Sequence, residues 1–161
     1  MGFTLIGRWL AIIALLCVCA GRAAGAADRG VLVPIFAFVA AANSGDRAKL
    51  VGAFSSDSAI VDEFAPFRFP APNAAGHWFD GFAADQTANG VSAAVIAVRP
   101  PKFMTVAGRH AYVVVPTVYT YRIHGAPAKE TGSLAFSLVE SGTRWKISTM
   151  SWAKLTDTSV P

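Results

Sequence analysis

The hydrophobic period of this chain changes once, at Val91, and that change limits the folds open to it. Before Val91, apolar side chains recur three and four residues apart, the spacing of a helix with one buried face. After it they alternate, and alternation over long runs describes strands with two unlike faces. The residues predict strands at Ser92–Val98, Phe103–Val106, Ala111–His124, Gly132–Val139 and Arg144–Leu155. Short turns join them at Arg99-Pro100-Pro101, Gly108, Gly125–Pro127 and Ser141-Gly142. Consecutive strands with such short connections pair antiparallel. A long sheet that follows a helical block must bury one face against it, so the expected class is α+β.

The helical block has internal punctuation. Val31, Ile35, Phe38, Val39 and Ala42 form the apolar stripe of a first helix over Val31 to Asn43, with Pro34 tolerated in the first turn and Asp28 as its cap. Asn43-Ser44-Gly45-Asp46 then breaks the pattern. Gly45 suits a left-handed C-cap and Asp46 the N-cap of a second helix, Arg47 to Phe54, with Leu50, Val51 and Phe54 buried. Ser55 to Ser58 reads as a turn and Ala59 to Phe64 as a short strand. Pro66, Pro70 and Pro72 mark a loop, and Ala74 to Asn89 is predicted as a third helix carrying Trp78, Phe79 and Phe82, ended by Gly90. Pro116 lies inside the longest strand, where it cannot donate to a ladder, so a bulge, a bend or an edge position is expected there.

The extreme N-terminus has a different logic. Arg8 closes a short basic region, Trp9 to Ala20 is an uninterrupted apolar run, and Ala24-Gly25-Ala26 fits a small-x-small cleavage site. This is the layout of a secretory signal peptide, residues 1–26, and the run is shorter than the ~20 residues of a spanning helix. Cleavage there leaves a single domain over residues 27–161, secreted or periplasmic and no longer attached to a membrane. Both cysteines (Cys17, Cys19) and two arginines (Arg8, Arg22) leave with the peptide, which lowers the net charge from +4 to +2. A chain so weakly basic, without a basic cluster, has no electrostatic footprint for nucleic acid. At 53% hydrophobic and 15% charged residues it is not a disordered segment either.

The run Phe38 to Asp46, Phe-Val-Ala-Ala-Ala-Asn-Ser-Gly-Asp, followed by Leu50-Val51-Gly52-Ala53-Phe54 and then Asp57 and Asp62, resembles the nuclear transport factor 2-like, or SnoaL-like, superfamily. Ser133–Glu140 and Trp145–Trp152 fit its last two strands. The resemblance implies a cone: a curved antiparallel sheet wrapped around the N-terminal helices, enclosing an apolar pocket. It also places Asp62 at the position of the catalytic aspartate base of ketosteroid isomerases. The tyrosine donor of those enzymes aligns with Phe38, and their second donor, an aspartate, falls near Gly132–Ser133, so neither donor is present at its usual place.

These residues define three functional readings. One is an exported domain that binds a small apolar or aromatic ligand through Phe38, Phe54, Trp78, Phe82, Tyr119, Tyr121, Met150 and Trp152. Another is a cofactor-independent isomerase, hydrolase or dehydratase-type enzyme, with Asp62 as acid/base and His77 assisting; a carboxyl in an apolar cone has a raised pKa, which suits a base. The third is an interaction module that forms a homodimer through the outer face of the sheet. Asp62 has plainer roles open to it, an ion pair with Arg68 or the cap of a turn, and His77 that of a surface histidine at a helix start. Glu63 alternates away from Asp62 if the strand runs through both. Thr117, Tyr119 and Tyr121 share one face of the long strand, and Tyr112, Val114 and Val118 share the other; the pattern leaves open which face lines the pocket. No metal-ligand motif and no cofactor loop occurs, so neither group is expected.

Overall fold

The computed structural model describes residues 30–159. The expected signal peptide and the Asp28 cap lie outside them. Helix α1 covers residues 30–44, α2 covers Arg47–Ala53 and α3 covers Ala74–Ala88. The strands are β1 (Phe54–Val61), β2 (Arg68–Phe69), β3 (Val91–Val98), β4 (Phe103–Ala107), β5 (His110–Ile123), β6 (Ala126–Ser141) and β7 (Arg144–Ser159). No helix among the described residues is long and apolar enough to cross a membrane.

The helical stripe of α1 is the centre of the core. Val31, Ile35 and Phe38 are fully buried, and Leu50 of α2 joins them. Asp46 caps α2 as expected: its side chain accepts a hydrogen bond from the Lys49 amide at 3.0 Å. Gly45 adopts φ +69°, the left-handed conformation that lets the chain turn from α1 into α2. Arg47 reaches across to α3, where its guanidinium donates two hydrogen bonds to Asp80, at 2.8 and 2.9 Å.

The sheet is ordered β2-β1-β7-β6-β5-β3, with β4 also paired to β5. It is α+β as expected, curved and unclosed, but it is not purely antiparallel: β1 runs parallel to β7. That pairing corrects the reading of Ser55–Ser58 as a turn. Those residues belong to β1, which starts where α2 ends; Ser58 is buried and the Ser55 hydroxyl donates to the Ile147 carbonyl. A serine-rich run looks like a turn by composition, yet this one is extended between two stretches that pair with β7, at Phe54 and at Ala59 to Val61. The register shifts between Phe54 and Ala59, so the run joins β7 through an irregularity. Strand β6 is also longer than expected, because the hairpin to β5 turns tightly at His124-Gly125, both with positive φ.

Pro116 sits where β5 changes partner. Its carbonyl accepts from the Arg99 amide, and two residues earlier the Val114 carbonyl accepts from Lys102, so the link between β3 and β4 crosses here. A strand residue aims its N and O to the same side, so the missing donor of Pro116 faces this gap and not a continuous ladder.

Candidate functional site

Along β5, Val113, Val115 and Thr117 are buried while Tyr112 is exposed, so the odd-numbered face looks inward. This settles the face left open by the alternation pattern: Thr117, Tyr119 and Tyr121 line the cavity, and Tyr112 points away. The cavity has a volume of about 340 Å³ and lies between α3, the end of β1 and the concave face of the sheet. Of the residues named from the sequence, Asp62, Phe38, Trp78, Phe82, Tyr119, Tyr121 and Trp152 line it.

Three of the named residues are placed elsewhere. Phe54 is buried against Phe38, ring centroids 5.7 Å apart, on the core side. Met150 is likewise a core residue, 1% exposed. It shares a strand face with Trp152, but β7 is long, and only its later part reaches the cavity. His77 is exposed on α3 and does not line the cavity, since the helix turns it away from the side carrying Trp78.

Asp62 follows the last residue of β1. Its Oδ1 accepts from the Glu63 amide and its Oδ2 from the Trp78 indole N–H, both at 2.7 Å. Arg68 forms no ion pair with it; among the described residues no cation does. Burial raises the Asp62 pKa, the two hydrogen bonds oppose that rise, and the charges of Glu63 and Asp85 add to it. Trp78 is held in turn by a stack on Phe82, 5.0 Å apart and nearly parallel, and by Phe38 at 5.6 Å.

Because β1 ends at Val61, the expected alternation does not carry through to Glu63. The chain turns there, closed by hydrogen bonds from Asp62 N to Phe67 O and from Phe67 N to Phe64 O, and Glu63 faces the cavity beside Asp62. Glu63 is held by Lys154 Nζ at 2.7 Å and by the Trp152 indole N–H at 3.1 Å. Lys154 also lies 3.6 Å from Glu130 and 3.7 Å from Asp157. These contacts, the Glu63 hydrogen bond first, raise the pKa of Lys154.

Glu130 of β6 is 6% exposed and accepts the Tyr121 hydroxyl at 2.8 Å. Burial pushes its pKa up, with Glu63 reinforcing the rise and the Tyr121 hydrogen bond and Lys154 opposing it. Tyr121 itself is pushed to about 12, by burial first and then by its bond to Glu130. Tyr119 is raised further, chiefly by burial, and the Gln86 side chain donates to its hydroxyl at 3.2 Å. Both tyrosines are therefore neutral near neutral pH.

Glu63, read from the sequence as facing away, lines the cavity, and so do Asp85, Gln86, Glu130 and Lys154, which were not singled out from the sequence. Simple signals point to some of them. Phe82, Asp85 and Gln86 fall on one face of α3 at helical spacing, with Asn89 at its C-cap, and Glu130 shares strand parity with Leu134. Among the described residues no group of three or more His, Cys, Asp or Glu side chains is arranged to hold a metal.

Solved structures with this fold span most of the chain. A protein described as a putative scytalone dehydratase from Novosphingobium aromaticivorans superposes with TM-score 0.68 at 12% identity, over 84% of this chain and 89% of its own. A nuclear transport factor 2-like protein with a cystatin-like fold, from the same organism, matches with TM-score 0.65 at 18% identity, over 94% and 92%. A ketosteroid isomerase-like protein from Erwinia carotovora atroseptica gives 0.63 at 14%, over 80% and 95%. No protein-family model and no curated protein matches the chain. At these identities the likeness establishes the fold, which is the nuclear transport factor 2-like cone.

Proposed function

We propose that the cavity binds a small, largely apolar or aromatic molecule, with Asp62 as the polar group that orients it. The observation that carries this is the placement of Asp62 beside Trp78 and Phe82 inside a concave hollow walled in part by aromatic rings. The test is a titration with 2-naphthol, a neutral bicyclic aromatic, followed by the fluorescence of Trp78 and Trp152. Saturable quenching that weakens in Trp78→Ala supports the reading. Absence of saturable quenching by this and other small aromatics up to their solubility limits overturns it.

A second reading, cofactor-independent acid/base catalysis, is favoured by the raised pKa of Asp62 and its two fixed hydrogen bonds. A partly desolvated carboxylate with a held orientation is suited to take a proton from a carbon or oxygen acid. Of the structurally similar proteins, one is described as a putative scytalone dehydratase and another as ketosteroid isomerase-like. Asp62→Asn keeps shape and removes the base; turnover of any substrate found must fall by about two orders of magnitude or more if Asp62 moves the proton.

A further inference from the structure

The charges of the cavity wall specify its occupant more narrowly than its shape does. We propose that the molecule bound is an organic cation, a protonated amine carried on an aromatic or alicyclic body. This rests on the ligand-binding reading above. The hollow and its aromatic walls indicate a ligand; the charge around them decides its sign.

Four carboxylates line the cavity, Asp62, Glu63, Asp85 and Glu130, against one ammonium, Lys154. The ammonium is already committed: it sits among Glu63, Glu130 and Asp157, at 2.7 to 3.7 Å. Asp62 and Asp85 have no cation partner among the described residues. Asp62 is met only by the Trp78 indole and the Glu63 amide, and Asp85 by the Asn89 amide at 3.1 Å. The charge of Asp85 is the smallest of the causes acting on the raised Asp62 pKa, after burial and the charge of Glu63. Even with Asp62 and Glu130 protonated, Glu63 and Asp85 outweigh Lys154.

The neutral part of the wall favours the same sign. Trp78 and Phe82 stack face to face, and Tyr119 stacks on Tyr121 at 4.8 Å, with Tyr119 also 6.0 Å from Phe82. Aromatic faces are electron-rich and attract a desolvated cation. An anionic ligand would meet those faces and the carboxylates, with Lys154 engaged elsewhere.

Three probes of one body separate the outcomes: 1-naphthylmethylamine, protonated at neutral pH, 1-naphthylmethanol and 1-naphthoate. Their dissociation constants are measured by calorimetry on the intact chain at pH 7, in low and in high salt. The expected order is amine tightest, by about tenfold over the alcohol, and the carboxylate weakest. The preference for the amine is expected to shrink in high salt and in Asp85→Asn. If the alcohol binds as tightly as the amine, the cation proposal is overturned and the ligand-binding reading survives. If the carboxylate binds tightest, the charge argument is wrong. If none of the three binds, the proposal falls together with the ligand-binding reading.

Discussion

Replacing Trp78 by Phe removes one hydrogen bond from Asp62 and leaves most of the surrounding aromatic packing in place. The indole N–H lies 2.7 Å from Asp62 Oδ2, a length typical of a bond to an ionised carboxylate. Such bonds contribute about 1.5–3 kcal/mol to the charged form. One pKa unit corresponds to about 1.4 kcal/mol, so Trp78→Phe should raise the Asp62 pKa by about one to two units. Phe retains a ring against Phe82 and Phe38, whose contacts lie at 5.0 and 5.6 Å. The assay is carbon NMR of aspartate labelled at the carboxyl carbon, titrated from pH 3 to 9, with Asp62→Asn identifying the signal. Linkage supplies a second readout. The folded state holds the Asp62 proton more tightly than the unfolded chain does. Between the ordinary aspartate value near 3.9 and the higher folded value, the folded state thus binds more protons, and stability falls as pH rises. Below that window the carboxyl is protonated in both states and imposes no burial penalty on folding. The slope should lengthen toward higher pH in Trp78→Phe and flatten in Asp62→Asn, as measured by urea midpoints from pH 4 to 7. An Asp62 pKa that stays fixed or drops on removing the indole would refute the account of how this carboxylate is held.

The other predictions concern the frame around the site. Phe38, fully buried among Phe54, Trp78 and Phe136, should cost about 3–5 kcal/mol of stability when cut to Ala, read from urea denaturation. A Cβ at Gly132 would stand 2.3 Å from the Ala153 carbonyl and 2.6 Å from the Trp152 ring, so Gly132→Ala should cost about 1–3 kcal/mol and shift Trp152 emission as the indole leaves Glu63. Lys154→Met should destabilise the fold more at pH 8 than at pH 5. Without the ammonium, the folded-state pKa of Glu130 rises further, and ionising it on the way to pH 8 becomes costlier. Equal losses at both pH values would show that Lys154 is not compensating these carboxylates.

The residues that sequence patterns located best are those governed by local rules. The stripe of α1 and the Gly45-Asp46 corner follow from helix period and capping, which depend on neighbours in sequence. Asp62 and Trp78 were legible through their position in a family-like run and on a helix face. Glu63 was assigned to the wrong side because alternation holds only while a strand continues, and β1 stops at Val61. His77 and Trp78 are adjacent in sequence, yet the helical turn sends one to solvent and the other into the hollow. Phe54 and Met150 were assigned to the ligand site, but both are buried in the core and neither lines the cavity.

Charge is where sequence and tertiary structure part most clearly. By itself the sequence determined a helical block followed by a long meandering sheet, because period and turn chemistry act over a few residues. It also determined that an aspartate would stand near the end of the first strand. Only the tertiary structure decided that residues 63, 130 and 154 meet, since the registers of β6 and β7, with a shift between Thr131 and Gly132, set which distant positions lie opposite one another. It likewise decided that Asp62 and Asp85 share a wall without a counter-charge among the described residues. Electrostatic energy depends on separation through space and on burial, and neither is a property of spacing along the chain.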